Sequence, residues 1–487
     1  MTLVSPPLEM LPNPAPLIGD TRPTSGSGGA YTHRYAATGG VTSDVPMAGK
    51  IEMDAAVQAA RRAQRAWSEM SPPQRRNLLL KFADLVEADS ERLQKLGTID
   101  NGTPAKIVQS APDLTAEYLR YNAGWTDRLE GTVIPTWPGD ALDYSLEKPY
   151  GVVAIIIPWN GPLIACGMTA APALAAGNAV VIKPPELAPY SALRFGELAL
   201  EAGIPAGVVN IVPAGPVGGD ALVRNPDVDK IHFTGSGATA KKVLSTALET
   251  LTPVGLELGG KSANIVFEDA DLAEALPRMV SGIIALSGQG CINGTRLLVQ
   301  DALYDQAVEA AAKFISMVPV GDPFDDNTAI GPVVNDVACQ RILGMIDRAT
   351  DDGARVVAGG ARLEGDLADG YFVSPTILAD VDNSSYIARN EVFGPVLSIL
   401  RFSDEQDAVQ ITNDSDFGLA AYIQTNDLKR AHRVADRLDV GNVWINGFYG
   451  IPVSAPFGGN KSSGQGRLGG RWGVREFTRP RNVWVAT

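Results

Sequence analysis

The chain has 487 residues, 45% of them hydrophobic and 20% charged, with a formal net charge of −14. That length suits two or three domains with ample core, and the acidic balance argues against a nucleic-acid partner. Three scattered cysteines exclude a disulfide framework and suit a reducing compartment, while His33, His232 and His432 stand too far apart for zinc spacing, so no metal site is expected.

The first 20 residues hold no Lys or Arg. A secretory leader needs a basic start and a transit peptide needs arginines, so the cytoplasm is the expected place. Residues 1–30 are rich in Pro, Gly and Ser and read as irregular. Helical periodicity follows over 52–66, 73–94 and 111–129. Residues 131–148 change to extended, alternating patterns and read as a small β excursion. No charge occurs from 149 to 182. That is long enough to suggest a membrane span, but Pro158-Trp159-Asn160-Gly161-Pro162 and Ala176-Gly177-Asn178 are turn signals that an unbroken apolar helix would not carry. Strand, loop, helix, turn, strand is the expected order, so no membrane partner is expected either.

From residue 151 short apolar strands alternate with helices. The strands are expected at 152–157, 179–182, 208–212 and 230–233, with helices at 163–175 and 191–202. Such alternation implies a parallel sheet covered on both faces, with ligands bound beyond the strands' carboxyl ends. A second alternation predicts strands at 263–267, 297–300, 396–402 and 419–424 and helices at 272–285, 302–317, 404–412 and 427–437. The tail, 481–486, reads as one more strand.

Among the three cysteines, Cys166 lies in an uncharged helical stretch and Cys339 in an ordinary helical one. Only Cys291, in Gly288-Gln289-Gly290-Cys291-Ile292-Asn293, has small and amide neighbours that leave a sulfur room to react. A lone cysteine is more often a small buried hydrophobe, so this thiol needs support from elsewhere in the chain. Two further motifs match on letters. Residues Gly255 to Ser262 fit the phosphate-loop pattern, which would make the chain a nucleotide hydrolase, but a strand-like segment follows where a helix is required. Gly235-Ser236-Gly237-Ala238-Thr239-Ala240 follows a strand and opens a helix, as a dinucleotide fingerprint does. By spacing alone, Glu257 would then hold a ribose.

Seven stretches occur in one order: 158–162, Lys183-Pro184-Pro185-Glu186, Phe233-Thr234-Gly235-Ser236, Glu257-Leu258-Gly259-Gly260-Lys261, 288–291, Glu391-Val392-Phe393-Gly394-Pro395, and Pro456-Phe457-Gly458-Gly459-Asn460-Lys461. Together they resemble the NAD(P)-dependent aldehyde dehydrogenase superfamily, from about residue 55 to the end. The resemblance implies an α/β fold: a Rossmann-like parallel-sheet cofactor domain (1–126 and 149–256), a second α/β catalytic domain (257–462), and a small β oligomerisation element (127–148 and 463–487). It implies a homo-dimer or homo-tetramer acting on a small-molecule aldehyde.

In that family's chemistry Cys291 resembles the nucleophile. Asn160 and the Cys291 backbone N–H resemble the oxyanion hole. Glu257 resembles the base that hydrolyses the thioester, which replaces the ribose role and points to a hydrolytic rather than coenzyme A-acylating member. The cofactor set implied is Ile156, Pro158, Trp159, Lys183, Glu186, Gly215, Gly219, Phe233, Gly235, Ser236, Leu258, Glu391 and Phe393. Lys183 and Glu186 would meet the adenosine ribose, and a carboxylate there favours NAD over NADP. Ser236 would approach the pyrophosphate and Glu391 the nicotinamide ribose, beside Phe393. Gly161, Ala165 and Met168 stand where bulkier side chains are common, which implies a widened channel for aromatic or long-chain aldehydes. Phe448 and Tyr449 are expected on its far wall, with Ile292 and Asn293 facing it and Asn293 hydrogen-bonding substrate. A catalytically silent relative with a binding role is the remaining alternative.

Overall fold

A computed structural model describes residues 3–486. Two parallel-rich sheets form its frame. The first has six strands in the order Gly464–Gln465, Val254–Leu258, Lys230–Gly235, Val152–Ile156, Ala179–Lys183 and Val209–Ile211. Strands 152–156 and 179–183 are wholly buried, which is why they read as unbroken apolar runs. Helices Pro72–Ala88, Ala111–Ala123, Pro162–Ala175 and Tyr190–Glu201 cover one face, packing Phe82, Leu119, Leu174 and Phe195 onto Val153, Ile155 and Ile182. Helices Lys50–Glu69 and Gly237–Ala247 cover the other, with Val57 and Val243 against Val152 and Ala154.

The second sheet has seven strands: Arg355–Ala358, Thr376–Ala379, Val396–Phe402, Arg296–Gln300, Ala263–Val266, Ala420–Gln424 and Asn442–Ile445. Only its 355–358 edge is antiparallel. Helices Leu272–Ile284 and Tyr304–Ile315 lie on one face and Asp336–Asp351 on the other. The chain passes from one sheet to the other in four residues, 259–262, between strands Val254–Leu258 and Ala263–Val266. The carboxyl end of a cofactor-domain strand therefore runs into the amino end of a catalytic-domain strand.

Several expected boundaries move. The helix expected at 73–94 is two, Pro72–Ala88 and Ser90–Asn101, with Asp89 outside helical geometry at ψ 14°. Helix Ala111–Ala123 stops at Gly124 rather than 129. Strands 30–34 and 41–46 form a hairpin that the sequence did not announce. The expected domain limits also need correction. Glu257 and Leu258 still pair with the cofactor sheet, so the boundary falls after 258. Residues 463–477 are not part of the β element: Gly464–Gln465 pairs with Val254–Leu258, and helix Gly470–Glu476 packs Val474 into the cofactor-domain core. Only Thr478–Ala486 joins the excursion, pairing with all nine residues of Ala141–Pro149, beside the short strand Val133–Ile134.

Candidate active site

The nucleophile loop is built under backbone constraint. Leu286, Ser287 and Gly288 have φ of 52°, 54° and 76° in succession. Left-handed backbone at non-glycine residues costs energy and persists only where packing imposes it. Ser287 is pinned by donation from the Gly331 N–H to its Oγ at 2.9 Å. At Gly288 any Cβ would lie 2.2 Å from the Gly394 carbonyl carbon, and at Gly290 one would meet Asn293 Oδ1 and Tyr449 Oη at 2.5 Å each. The glycines around Cys291 are therefore steric necessities. They deliver a half-buried thiol to the space between the two sheets.

Asn160 comes from the opposite side, on the loop between strand Val152–Ile156 and helix Pro162–Ala175. Its Nδ2 donates to the Gln289 carbonyl at 2.9 Å. A side-chain amide carries two N–H groups, so one fixes the side chain beside the nucleophile loop and the other is left for a ligand oxygen. Glu257 is 5% exposed and its Oε2 has no hydrogen-bond partner. Burial drives its carboxyl well above the ordinary carboxylate range; Arg467 opposes this and Glu476 adds to it. The Cys291 thiol is pushed up to about 12 by burial, then by Glu391 and Glu257, against the N–H groups of Cys291 and Ile292. Cys291, Glu257 and Glu391 thus share one electrostatic neighbourhood. In the resting protein the thiol holds its proton and needs a base or a cation to release it.

A cofactor groove lies beyond the carboxyl ends of the first sheet. Helices Pro216–Val223 and Gly237–Ala247 begin there, capped by Gly215 and Ser236, and the Ser236 hydroxyl accepts from the Thr239 N–H. A Cβ placed at Gly215, Gly219 or Gly237 would meet nothing within 4 Å. Two helix N-termini with open space before them suit a pyrophosphate. Lys183 ends its strand, 9% exposed, its ammonium pKa lowered by burial and raised by Glu186. Ile156, Phe233 and Leu258 are buried strand residues that floor the groove, and the Phe233 ring lies under Gly235. Trp159 and Phe393 meet edge to face, 5.3 Å between ring centroids, which joins the two domains beside Pro158. Glu391 accepts from the Gly260 N–H at 3.0 Å and fits against Gly259, where a Cβ would be 2.1 Å from its Oε2. Burial raises Glu391 to about 7 and lowers nearby Lys261 to about 7.

The phosphate-loop alternative does not survive this geometry. Residues 254–258 and 263–266 are strands, no helix follows, Lys261 is buried, and the Leu258 and Gly260 N–H groups are committed to Ser463 and Glu391.

Around the thiol, Met168, Ile292, Trp444, Phe448, Tyr449 and Ile451 form an apolar cluster with buried Tyr422 and Phe457. Tyr422 stacks on Trp444 at 5.1 Å and donates to the Ile292 carbonyl at 2.9 Å. Gly161 caps helix Pro162–Ala175 and faces open space, while Ala165 packs toward the cofactor-domain core instead of the thiol cluster. Asn293, expected to hydrogen-bond substrate, is 2% exposed and held by the protein: its Nδ2 donates to the carbonyls of Gly282 and Ala285, which spends both N–H groups, and its Oδ1 accepts from Tyr449 Oη. Arg467, Glu476 and Tyr422 are site neighbours that the sequence did not single out. Isolated residues of common types leave no periodic or motif signal. Among the described residues no group of three or more His, Cys, Asp or Glu side chains gathers as a metal site, and no helix is long and apolar enough to cross a membrane.

An α/β frame with a dinucleotide-type groove opening on a cysteine, a carboxylate and an amide defines an oxidoreductase architecture. The chain belongs to the aldehyde dehydrogenase family, whose model matches residues 24–483. It is 40% identical to the putative aldehyde dehydrogenase DhaS of Bacillus subtilis (strain 168), over 95% of this chain and 93% of that one. It is 39% identical to retinal dehydrogenase 2 of Rattus norvegicus, over 98% and 94%. The solved NAD+ complex of an aldehyde dehydrogenase from Bacillus cereus superposes with a TM-score of 0.95 at 39% identity, covering 100% of this chain and 99% of that chain.

Proposed function

We propose that the protein oxidises a bulky aldehyde, aromatic or long-chain, to its carboxylic acid with NAD, by a hydrolytic route through Cys291. The observation that carries this is the convergence of a half-buried thiol, an amide with one free N–H and an unpartnered buried carboxyl at the mouth of an open dinucleotide groove. A neutral carbonyl has no hydride ready to leave. Attack by the Cys291 sulfur makes a tetrahedral thiohemiacetal whose oxygen carries charge. The free Asn160 N–H and the Cys291 backbone N–H stand ready for that oxygen, each donor being worth about 10²–10³ in rate. When bound, NAD would supply the hydride acceptor, and Ser236, Lys183, Glu186 and Glu391 are the residues that would hold it. The acyl group is left as a thioester on Cys291. Glu257 then takes a proton from the water that attacks it.

Support for NAD over NADP is Glu186 beside Lys183, a carboxylate that would repel a 2′-phosphate. Support for a bulky substrate is the open space at Gly161 and the Met168, Phe448 and Tyr449 wall. All three cysteines are free, which agrees with a reducing, cytoplasmic setting. The test is NADH formation with a panel from acetaldehyde to aryl and long-chain aldehydes, for the wild type and Cys291→Ala. We expect kcat/KM to rise with substrate bulk and to vanish in the variant. Turnover surviving in Cys291→Ala would sink the covalent route, and a maximum at acetaldehyde would sink the substrate assignment. Absence of turnover with every aldehyde would favour the silent relative.

A further inference from the structure

One buried ionic pair lies against the strand that carries Glu257. Lys230 Nζ donates to Glu476 Oε1 at 2.5 Å, and the two side chains are 7% and 16% exposed. Glu476 ends helix Gly470–Glu476, and Lys230 opens the strand next to that of Glu257. The helix can approach because residue 255 is glycine: a Cβ there would lie 2.6 Å from Glu476 Oε1 and 3.0 Å from His232 Cδ2. Gly466 makes room in the same way, since its Cβ would be 2.7 Å from Glu476 Oε2. Alternate residues of a strand project from one face, about 7 Å apart. Residues 255 and 257 therefore share a face, and Glu476, packed against Gly255, is close enough to Glu257 to raise its carboxyl pKa.

Glu257 has a proton problem. Its Oε2 is buried without a partner, yet a base must shed a proton at every turnover. Arg467, its nearest cation, cannot exchange one, and its guanidinium is committed to the carbonyls of Gly459 and Gly466 and to Asn460 Oδ1. The groups around Glu476 are Lys230 and His232 from one strand, Glu257 from the next, Arg467 from the adjoining loop, and Tyr150 with Arg479 at the outer edge, where Lys230 and Arg479 lie 5.3 and 5.8 Å from the Tyr150 ring. His232 does not compete for a proton: burial and then Lys230 hold it down to about 3.

We propose that Glu476, held by Lys230, receives the proton from Glu257 during thioester hydrolysis and passes it toward solvent. The idea rests on the hydrolytic reading above. Water gives its oxygen to the acyl carbon and its proton to Glu257. The carbon–sulfur bond breaks with its electron pair going to Sγ of Cys291. The proton then moves through a bridging water onto Glu476, which is more exposed than Glu257 and releases it. Glu476 is a positioning residue: it touches neither substrate nor the reacting atoms.

The test is stopped-flow and steady-state NADH formation against pH for the wild type, Glu476→Gln, Lys230→Met and Glu257→Gln, with melting temperatures alongside. Glu476→Gln should keep the first-turnover burst and lose steady-state kcat on the order of 10-fold or more. Lys230→Met removes the group that holds the Glu476 carboxylate in place, so steady-state kcat should fall and its pH profile should change with the burst intact. A kcat–pH profile that overlays the wild type, in whichever variant folds, overturns the proposal. If Glu257→Gln itself turns over normally, the hydrolytic reading fails instead. If Glu257→Gln stalls while Glu476→Gln matches the wild type, only the relay fails.

Discussion

Cys291 and Glu257 carry opposite demands. The thiol must lose a proton and the carboxyl must cycle one, yet both are raised chiefly by burial. Burial disfavours the charged form of either group, so the water-poor site that strengthens the oxyanion donors also works against ionising both acids. Replacing Glu257 by Gln removes the cycling group and leaves the nucleophile in place. One rapid burst of NADH followed by slow turnover is expected, and an unchanged steady-state rate would remove Glu257 from the hydrolytic step. His232 gives a stability prediction. Its folded pKa of about 3 lies below the ordinary 6.5, so below pH 6.5 the unfolded chain binds a proton that the folded chain refuses. Its contribution is present above that pH and declines as pH falls toward 3. Between pH 7 and 5 it should cost about 2 kcal/mol. His232 Nδ1 has no partner and the ring lies 5.9 Å from that of Phe477. His232→Phe should therefore flatten the pH dependence of a denaturant midpoint measured at fixed protein concentration.

The elements that matter most are the short connections. The link 259–262 turns two sheets into one machine, with Glu391 seated against Gly259 and bonded to the Gly260 N–H. The nucleophile loop is the other. Gly288→Ala combines a positive φ with a 2.2 Å approach to the Gly394 backbone. Strain and clash together should cost about 3 kcal/mol or more in stability or displace Cys291. A calorimetric melt and the burst amplitude check this, and a variant with wild-type values of both would refute it. The parallel strands and the helices between them were legible in sequence because fully buried strands leave unbroken apolar runs. The expected 396–402 matches strand Val396–Phe402. The hairpin 30–46 and strands 355–358 and 376–379 escaped notice. The hairpin and the edge strand 355–358 are short and partly exposed, so they impose no continuous apolar pattern. Strand Thr376–Ala379 is buried but only four residues long, too short a run to separate from a loop.

At the scale of the whole molecule, the sheet formed by strands 133–134, 141–149 and 478–486 exposes Val133, Leu142, Trp484 and Val485, and the loop joining its first two strands exposes Trp137, 91% accessible. Apolar surface of this kind commonly marks an interface, and we propose that copies of the chain meet through it. Trp484→Glu should shift the sedimentation coefficient toward the monomer and lower the melting temperature at micromolar protein. An unchanged coefficient would place the contact elsewhere.

What the sequence determined by itself is the class of fold and the identity of the central chemical groups, because buried parallel strands and glycine-bounded loops leave marks that spacing preserves. The thiol at 291, the amide at 160 and the carboxyl at 257 were nameable there, although nothing in the chain's order brings them together. The tertiary structure alone decided three things. It closed Asn293 off within its own hydrogen bonds, it returned residues 463–477 to the cofactor domain, and it brought Lys230 and Glu476 beneath Glu257. Each is a pairing between residues from 8 to 246 positions apart. Hydrogen bonds and ion pairs are set by distance in space, so an isolated polar residue reveals its partner only when the chain has folded.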